Sequence, residues 1–187
     1  MQFLNFPVPF SNYLKDHFQH SIKANVTIAY FCSKDFMASQ YCDASVSLIR
    51  KEIVPGFIPE NSFAKYIIII NHKNEVIGVS VFSLNNGSNL SLDFLATREK
   101  KKGLGGFLLG LMIEFAAFNL CNRIDLISLP TSKTFYTHAA GGGFIITVDK
   151  QYPFLKAAIP FDPIKLALRK KIMLEPRACP HFESGEK

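Results

Sequence analysis

Between residues 65 and 118 the hydrophobic period of the chain changes once, and abruptly. KYIIIINH (65–72), VIGVSVFSL (76–84) and NLSLDFLA (89–96) have the β-branched, period-2 character of strands. The polar stretch Asn71 to Glu75 separates the first pair, and Asn85-Asn86-Gly87-Ser88, a strong hairpin signal, separates the second. Alternation places Val76, Gly78, Ser80 and Phe82 on one side and Ile77, Val79 and Val81 on the other. From Leu104 onward the apolar residues Leu104, Phe107, Leu108, Leu111, Met112 and Phe115 fall at helical intervals. That spacing predicts an amphipathic helix fed directly by an antiparallel meander.

The flanks extend this order. NVTIAYF (25–31) reads as a strand. A helical stretch lies within 34–53 and ends at Pro55-Gly56. RIDLISL (123–129) is a further strand, and Pro130-Thr131-Ser132 opens a helix over about 132–140, which breaks at Gly141-Gly142-Gly143. FIITV (144–148) and FLKAAIPF (154–161) read as the last strands. The expected class is α/β in the mixed α+β sense, with helices on the faces of a mixed sheet. Residues 1–24 form an N-terminal extension with a short helix over Asn12 to Lys23. Residues 25–161 form the domain, and 162–187 form a C-terminal helix and polar tail.

Composition narrows the class. With 48% hydrophobic and 19% charged residues the chain is not wholly disordered, and 187 residues suffice for one domain with a sizeable core. The longest apolar stretch, Leu104 to Ile113, is far short of the roughly 20 residues of a membrane span. The N-terminus lacks the basic lead-in and apolar run of a secretory signal. Cys32, Cys42, Cys121 and Cys179 form no C-x-x-C pair. They read as reduced thiols of a cytoplasmic protein, not as a disulfide or zinc framework, and Cys121 as a buried thiol. The basic clusters, Arg98 to Lys102 and Arg169 to Lys171, carry no interleaved aromatic residues, so nucleic-acid binding is a weak reading.

The first cluster gains meaning from its neighbours. Lys100-Lys101-Lys102-Gly103-Leu104-Gly105-Gly106 stands between a strand and a helix. The first turn of a helix has backbone N–H groups without acceptors and a positive dipole end. Glycines let a ligand approach that backbone closely. Three lysines add charge. Together these form a site for an anion, most naturally a phosphate or pyrophosphate. The P-loop does not fit, because no Lys-Ser/Thr follows the glycines. The dinucleotide fingerprint fails because Leu stands at 108.

The run resembles the [Q/R]-x-x-G-x-[G/A] signature of the GNAT superfamily of acyl-CoA N-acyltransferases, with Lys100 at the first position, Gly103 at the fourth and Gly105 at the sixth. Lysine keeps the charge of arginine but not its bidentate geometry. The resemblance covers about residues 25–161. It implies a mostly antiparallel sheet of about six or seven strands, helices on both faces, and a splay between the fourth and fifth strands, 89–96 and 123–129. It further implies that acetyl-CoA is the co-substrate; the cysteine spacing separately leads to the expectation of no metal. The pyrophosphate falls on Lys101 to Gly106, with Lys100 before it. The backbone of Phe94, Leu95 and Ala96, with Thr97 beside them, meets the pantetheine arm and the acyl carbonyl.

The reaction so implied is direct attack of a primary amine on a thioester. An alkyl ammonium, of pKa near 10, must first lose a proton. A backbone N–H at about Leu95 suits the developing oxyanion. Tyr136 matches the family's general acid. Gly143-Phe144, however, follow it by seven and eight residues instead of four and five, and Leu129 stands where the family often has Asn. Ser132 is a substitute polar contact. The base is Asp93, His138 or a water chain; His72 reads as structural. The acceptor is a small-molecule or protein amine that the sequence does not identify. Asp35, Asp43, Glu52, Glu60 and Asp149 lie in the segments that contact acceptors in the family. A CoA-binding or interaction module without catalysis is the alternative.

Overall fold

Ile67 to Ile70 lie on an interior strand of the sheet. Ile68 and Ile70 join one apolar cluster, and Ile67 and Ile69 join another on the opposite face. A strand buried on both faces needs a continuous β-branched run, which this segment supplies. The computed structural model describes residues 2–18, 26–52, 66–85, 89–99, 103–128, 132, 134–136, 145–148 and 155–160. Twelve elements follow in order: β1 (Gln2–Leu4), α1 (Val8–Phe18), β2 (Val26–Cys32), α2 (Ser33–Met37), α3 (Cys42–Glu52), β3 (Tyr66–His72), β4 (Glu75–Asn85), β5 (Asn89–Thr97), α4 (Leu104–Phe118), β6 (Arg123–Ser128), β7 (Ile145–Val148) and β8 (Leu155–Pro160).

The eight strands form one sheet in the order β1-β2-β3-β4-β5-β6-β8-β7. Only β1–β2 and β5–β6 are parallel. The expected count of six or seven strands is therefore low by at least one. The additional strand, β1, comes from the stretch read as an N-terminal extension. Over residues 2–18 that stretch belongs to the folded unit, since Phe3, Phe6, Phe10 and Leu14 are buried in the larger cluster. Helix α1 begins at Val8, not Asn12. Pro9 falls in its first turn, where a missing N–H costs nothing, and Ser11 N–H closes that turn on the Pro7 carbonyl.

Helices cover both faces. α1 and α4 pack on one, and α2 and α3 on the other. The helical stretch within 34–53 is divided because Ser39 Oγ donates to the Phe36 carbonyl at 2.7 Å and ends α2. Helix α4 departs from its expected amphipathic character. Leu109, Glu114, Ala117 and Phe118 are buried as well as the apolar stripe, so little of its C-terminal half meets solvent. Phe115 anchors that half, with ring centroids 5.6 Å from Phe10, 5.1 Å from Tyr30 and 5.5 Å from Phe82. At Gly78 a methyl group would come within 3.0 Å of Leu108 Cδ1, so glycine lets α4 approach β4 closely.

Two register shifts break the alternation read from sequence. Between Ile70↔Gly78 and Asn71↔Val76, Ile77 is the extra residue. Val76 therefore joins the α3-side cluster with Val79 and Val81, and Ile77 packs on the opposite one. Between Val81↔Phe94 and Phe82↔Leu92, Asp93 is the extra residue. Leu92 and Leu95 then pack on the same cluster, with Phe94 and Ala96 on the other. In a regular strand Asp93 and Leu95, two residues apart, would share a face; the bulge at Asp93 resets that side-chain period.

Candidate functional site

The site grows from the incomplete pairing of β5 and β6. Their parallel register runs from Asn89↔Arg123 to Leu92↔Leu126 and stops. At the closed end Asn89 Nδ2 donates to Asp125 Oδ2 at 2.6 Å, and Arg123 Nε lies 3.1 Å from Asp125 Oδ1. Beyond Leu92, β5 continues through Thr97 paired to β4, and among the described residues it has no further register with β6. The strands are thus open on the side toward α4, as a splay between them requires.

The backbone of β5 faces that opening in a defined phase. Arg98 N–H donates to the Ile77 carbonyl of β4 at 2.9 Å. In an antiparallel ladder alternate residues turn their polar groups the other way. Thr97 and Leu95 therefore point their N–H and C=O groups away from β4, into the opening, and Ala96 bonds to β4. Phe94 and Leu95 are half-buried, and Ala96 is buried. Thr97 Oγ1 reaches the Glu99 carbonyl at 3.5 Å. Asp93 sits on the bulge at the fork, with Oδ2 shielded from solvent. Across from it Ile127 of β6 is 62% exposed.

Helix α4 starts just past the open end. Gly103 is its N-cap at φ 77°, a left-handed conformation that costs an L side chain roughly 1–2 kcal/mol. No side chain caps this end. The first helical bond is Phe107 N–H to the Gly103 carbonyl at 2.9 Å. The amides of Leu104, Gly105 and Gly106 precede it and come too early to have acceptors within the helix. The three glycines differ in surroundings. Among the described residues nothing comes within 4 Å of where a side chain would stand at Gly103 and Gly106, both exposed. At Gly105 that space is taken: a methyl group would lie 3.2 Å from Phe135 Cζ and 3.7 Å from Leu95 Cδ2. Lys100, Lys101 and Lys102 lie outside the described residues, as do His138, Glu60, Asp149, Leu129, Gly143 and Phe144.

Past β6, Ser132 is half-buried and residues 134–136 form a helical turn. Tyr136 is buried against the α4-side cluster, and burial pushes its phenol from 10.0 up to about 12. Its ring meets Phe135 edge-on at 4.9 Å. The fold thus brings Leu95, Gly105 and the Phe135-Tyr136 turn together around the opening. Neither the contact of Phe135 with Gly105 nor the Asn89–Asp125 bond is foreseen from the sequence. The Phe-Tyr pair was a signal for the first; Asn89 and Asp125 are too far apart in the chain to suggest the second.

Cys121 is buried, with Sγ 3.9 Å from the Asn119 carbonyl. Among the described residues no group of three His, Cys, Asp or Glu could hold a metal ion, and no helix is long and apolar enough to cross a membrane.

No family model and no curated protein matches the sequence. Solved structures do match in fold. An acyl-CoA N-acyltransferase from Pseudomonas aeruginosa superposes with a TM-score of 0.58 at 11% identity, over 71% of this chain and 98% of that one. Ard1 from Thermoplasma volcanium gives 0.56 at 12%, over 74% and 99%. Arabidopsis thaliana Naa50, in complex with the bisubstrate analogue CoA-Ac-MVNAL, gives 0.54 at 15%, over 72% and 97%. The open β5–β6 pair, the uncapped glycine start of α4 and these superpositions agree: the fold of this chain is that of the GNAT N-acyltransferases.

Proposed function

We propose that the chain is an N-acetyltransferase that moves an acetyl group from acetyl-CoA to a primary amine by direct attack. The observation that carries this reading is the end of β5–β6 pairing at Leu92 and Leu126, directly before the uncapped N-terminus of α4. The residues suit the co-substrate. The amides of Leu104, Gly105 and Gly106, too early in α4 for acceptors within the helix, with space at Gly103 and Gly106 open among the described residues, favour a pyrophosphate. Lys100, Lys101 and Lys102 precede them in sequence and add charge of the right sign. The Phe94–Thr97 backbone receives the pantetheine arm.

Bound acetyl-CoA supplies a thioester carbonyl for the amine to attack and a thiolate to leave. The Leu95 N–H, turned into the opening, donates to the oxygen that gains charge. Asp93, at the fork, takes the amine proton, directly or through water. Tyr136 holds its proton throughout the neutral range and donates a hydrogen bond to the sulfur. Ser132 adds a polar contact beside it. The setting is the cytoplasm, and the acceptor is a small-molecule or protein amine.

One observation favours a second reading, CoA binding without transfer. Tyr136 is buried, and a phenol at about 12 is a weak acid toward a thiolate of pKa about 8.5. Thermal unfolding with acetyl-CoA, CoA and ATP tests both. A ligand at 100 times its Kd raises the melting temperature by about 5–10 °C. A rise with both CoA species and not with ATP, plus acetyl transfer to an amine panel, supports the enzyme. A rise without transfer supports the binding module, and no rise rejects both.

A further inference from the structure

Gly105 and Gly106 both lie in the first turn of α4, where each glycine costs a helix about 1 kcal/mol relative to alanine. Open space explains Gly106 as room for a ligand, but it does not explain Gly105. A methyl group there would stand 3.2 Å from Phe135 Cζ and 3.3 Å from Phe135 Cε2. The tip of that ring presses on the place a side chain would take, so even a methyl group would require it to give by a few tenths of an ångström. Phe135 belongs to the helical turn that carries Tyr136, and the two rings pack edge-on at 4.9 Å. The turn follows β6, whereas Gly105 follows β5. The ring therefore bridges from the β6 side of the opening to the helix start on the β5 side.

We propose that Phe135 is a positioning residue and Gly105 its socket, so that the Tyr136 turn is docked on the first turn of the anion-binding helix. The proposal rests on the acetyltransferase reading. Gly105 is small for the sake of this ring, and only Gly103 and Gly106 are small for the sake of the ligand. The helix start and the Tyr136 turn then move as one body, and whatever displaces the ring alters both at once.

The test is a two-by-two set: wild type, Gly105→Ala, Phe135→Leu and the double variant. Leucine lacks the ring-tip atoms that the alanine methyl would strike. Two quantities are read, the melting temperature of the free protein and its rise with CoA. Each single variant is expected to weaken CoA about 10-fold, which removes about 3–5 °C from the rise. The double variant recovers most of that loss, because the methyl fills the space the ring tip leaves. A filler role for Phe135 would lower the melting temperature of Phe135→Leu and leave its CoA rise intact; that result overturns the proposal. Additive loss in the double variant also overturns it, since Gly105 would then serve the ligand directly. Should Gly105→Ala alone fail to fold, a folded double variant supports the socket and an unfolded one overturns it. If wild type shows no rise with CoA, the acetyltransferase reading fails separately, and non-additive melting temperatures alone decide the socket.

Discussion

Toward β4, strand β5 is paired from Asn89 to Thr97; toward β6 it is paired only from Asn89 to Leu92. One strand thus carries a ladder along its whole length on one edge, broken only by the bulge at Asp93, and among the described residues a ladder over just its first half on the other. The difference does not come from composition, since Phe94, Leu95 and Ala96 are as apolar as Leu90 and Leu92. It comes from geometry. The Asn89–Asp125 bond holds the strands together at one end, and the bulge at Asp93 turns β5 at the fork. A backbone left unpaired inside a fold normally costs free energy, so an opening of this kind is a place for a ligand that can hydrogen-bond.

The sharpest way to break this contrast is to remove single N–H groups on the two edges. Leu95→Pro deletes an N–H that faces the opening and leaves the β4 ladder whole. Ala96→Pro deletes one that faces β4 and strips the donor from its register partner, Val79. Leu95→Pro is expected to fold and to lose about 10²–10³-fold in kcat, the usual effect of deleting one oxyanion donor. A Leu95→Ala control accounts for the lost side chain. Ala96→Pro is expected to lower stability by about 1–3 kcal/mol, an orphaned buried carbonyl. If the two prolines affect turnover and melting alike, the edges do not differ as described.

Tyr136 offers a second test, on the β6 side of the opening. Burial holds its phenol up at about 12 in the folded chain, against 10.0 when unfolded. Below pH 10 both states keep the proton and the full stability is present. Between about pH 10 and 12 the unfolded chain releases the proton and the folded chain does not. Stability is therefore lost as pH rises, by about 2–3 kcal/mol from this residue. Urea midpoints at pH 9 and pH 11 should fall less steeply in Tyr136→Phe than in wild type. Equal slopes would place Tyr136 in water, and the opening would have no closed wall there.

Much of this architecture was legible in the chain. Period-2 runs placed β3, β4 and β5 within a residue or two, because alternation and hairpin chemistry are local. The Gly103–Gly106 run marked the helix start for the same reason. What the sequence hid was non-local or nearly invisible. A three-residue strand such as Gln2–Leu4 has no period to read. It exists because Phe3 and Phe6 find a core made by α1, β2 and α4. Bulges at Ile77 and Asp93 insert one residue without changing composition, so they reversed faces that alternation had assigned. The three glycines look equivalent in sequence, and only the position of Phe135, some thirty residues on, separates Gly105 from its neighbours.

That separation yields the smallest of the expected effects, and one with opposite signs. Gly103 sits at φ 77°, so Gly103→Ala places a side chain in the left-handed region and should cost about 1 kcal/mol. Gly106 lies within the helix with nothing within 4 Å of the new methyl, so Gly106→Ala should add about 0.5–1 kcal/mol of stability. The free proteins would then melt about 2–4 °C below and above wild type. With CoA present the order should change. The Gly106→Ala methyl projects into the space beside the first amides of α4, where a phosphate would come closest. The variant that is most stable alone should therefore gain least from the ligand. If Gly106→Ala keeps both its added stability and the full CoA rise, the phosphates lie elsewhere, and the open start of α4 is not what receives them.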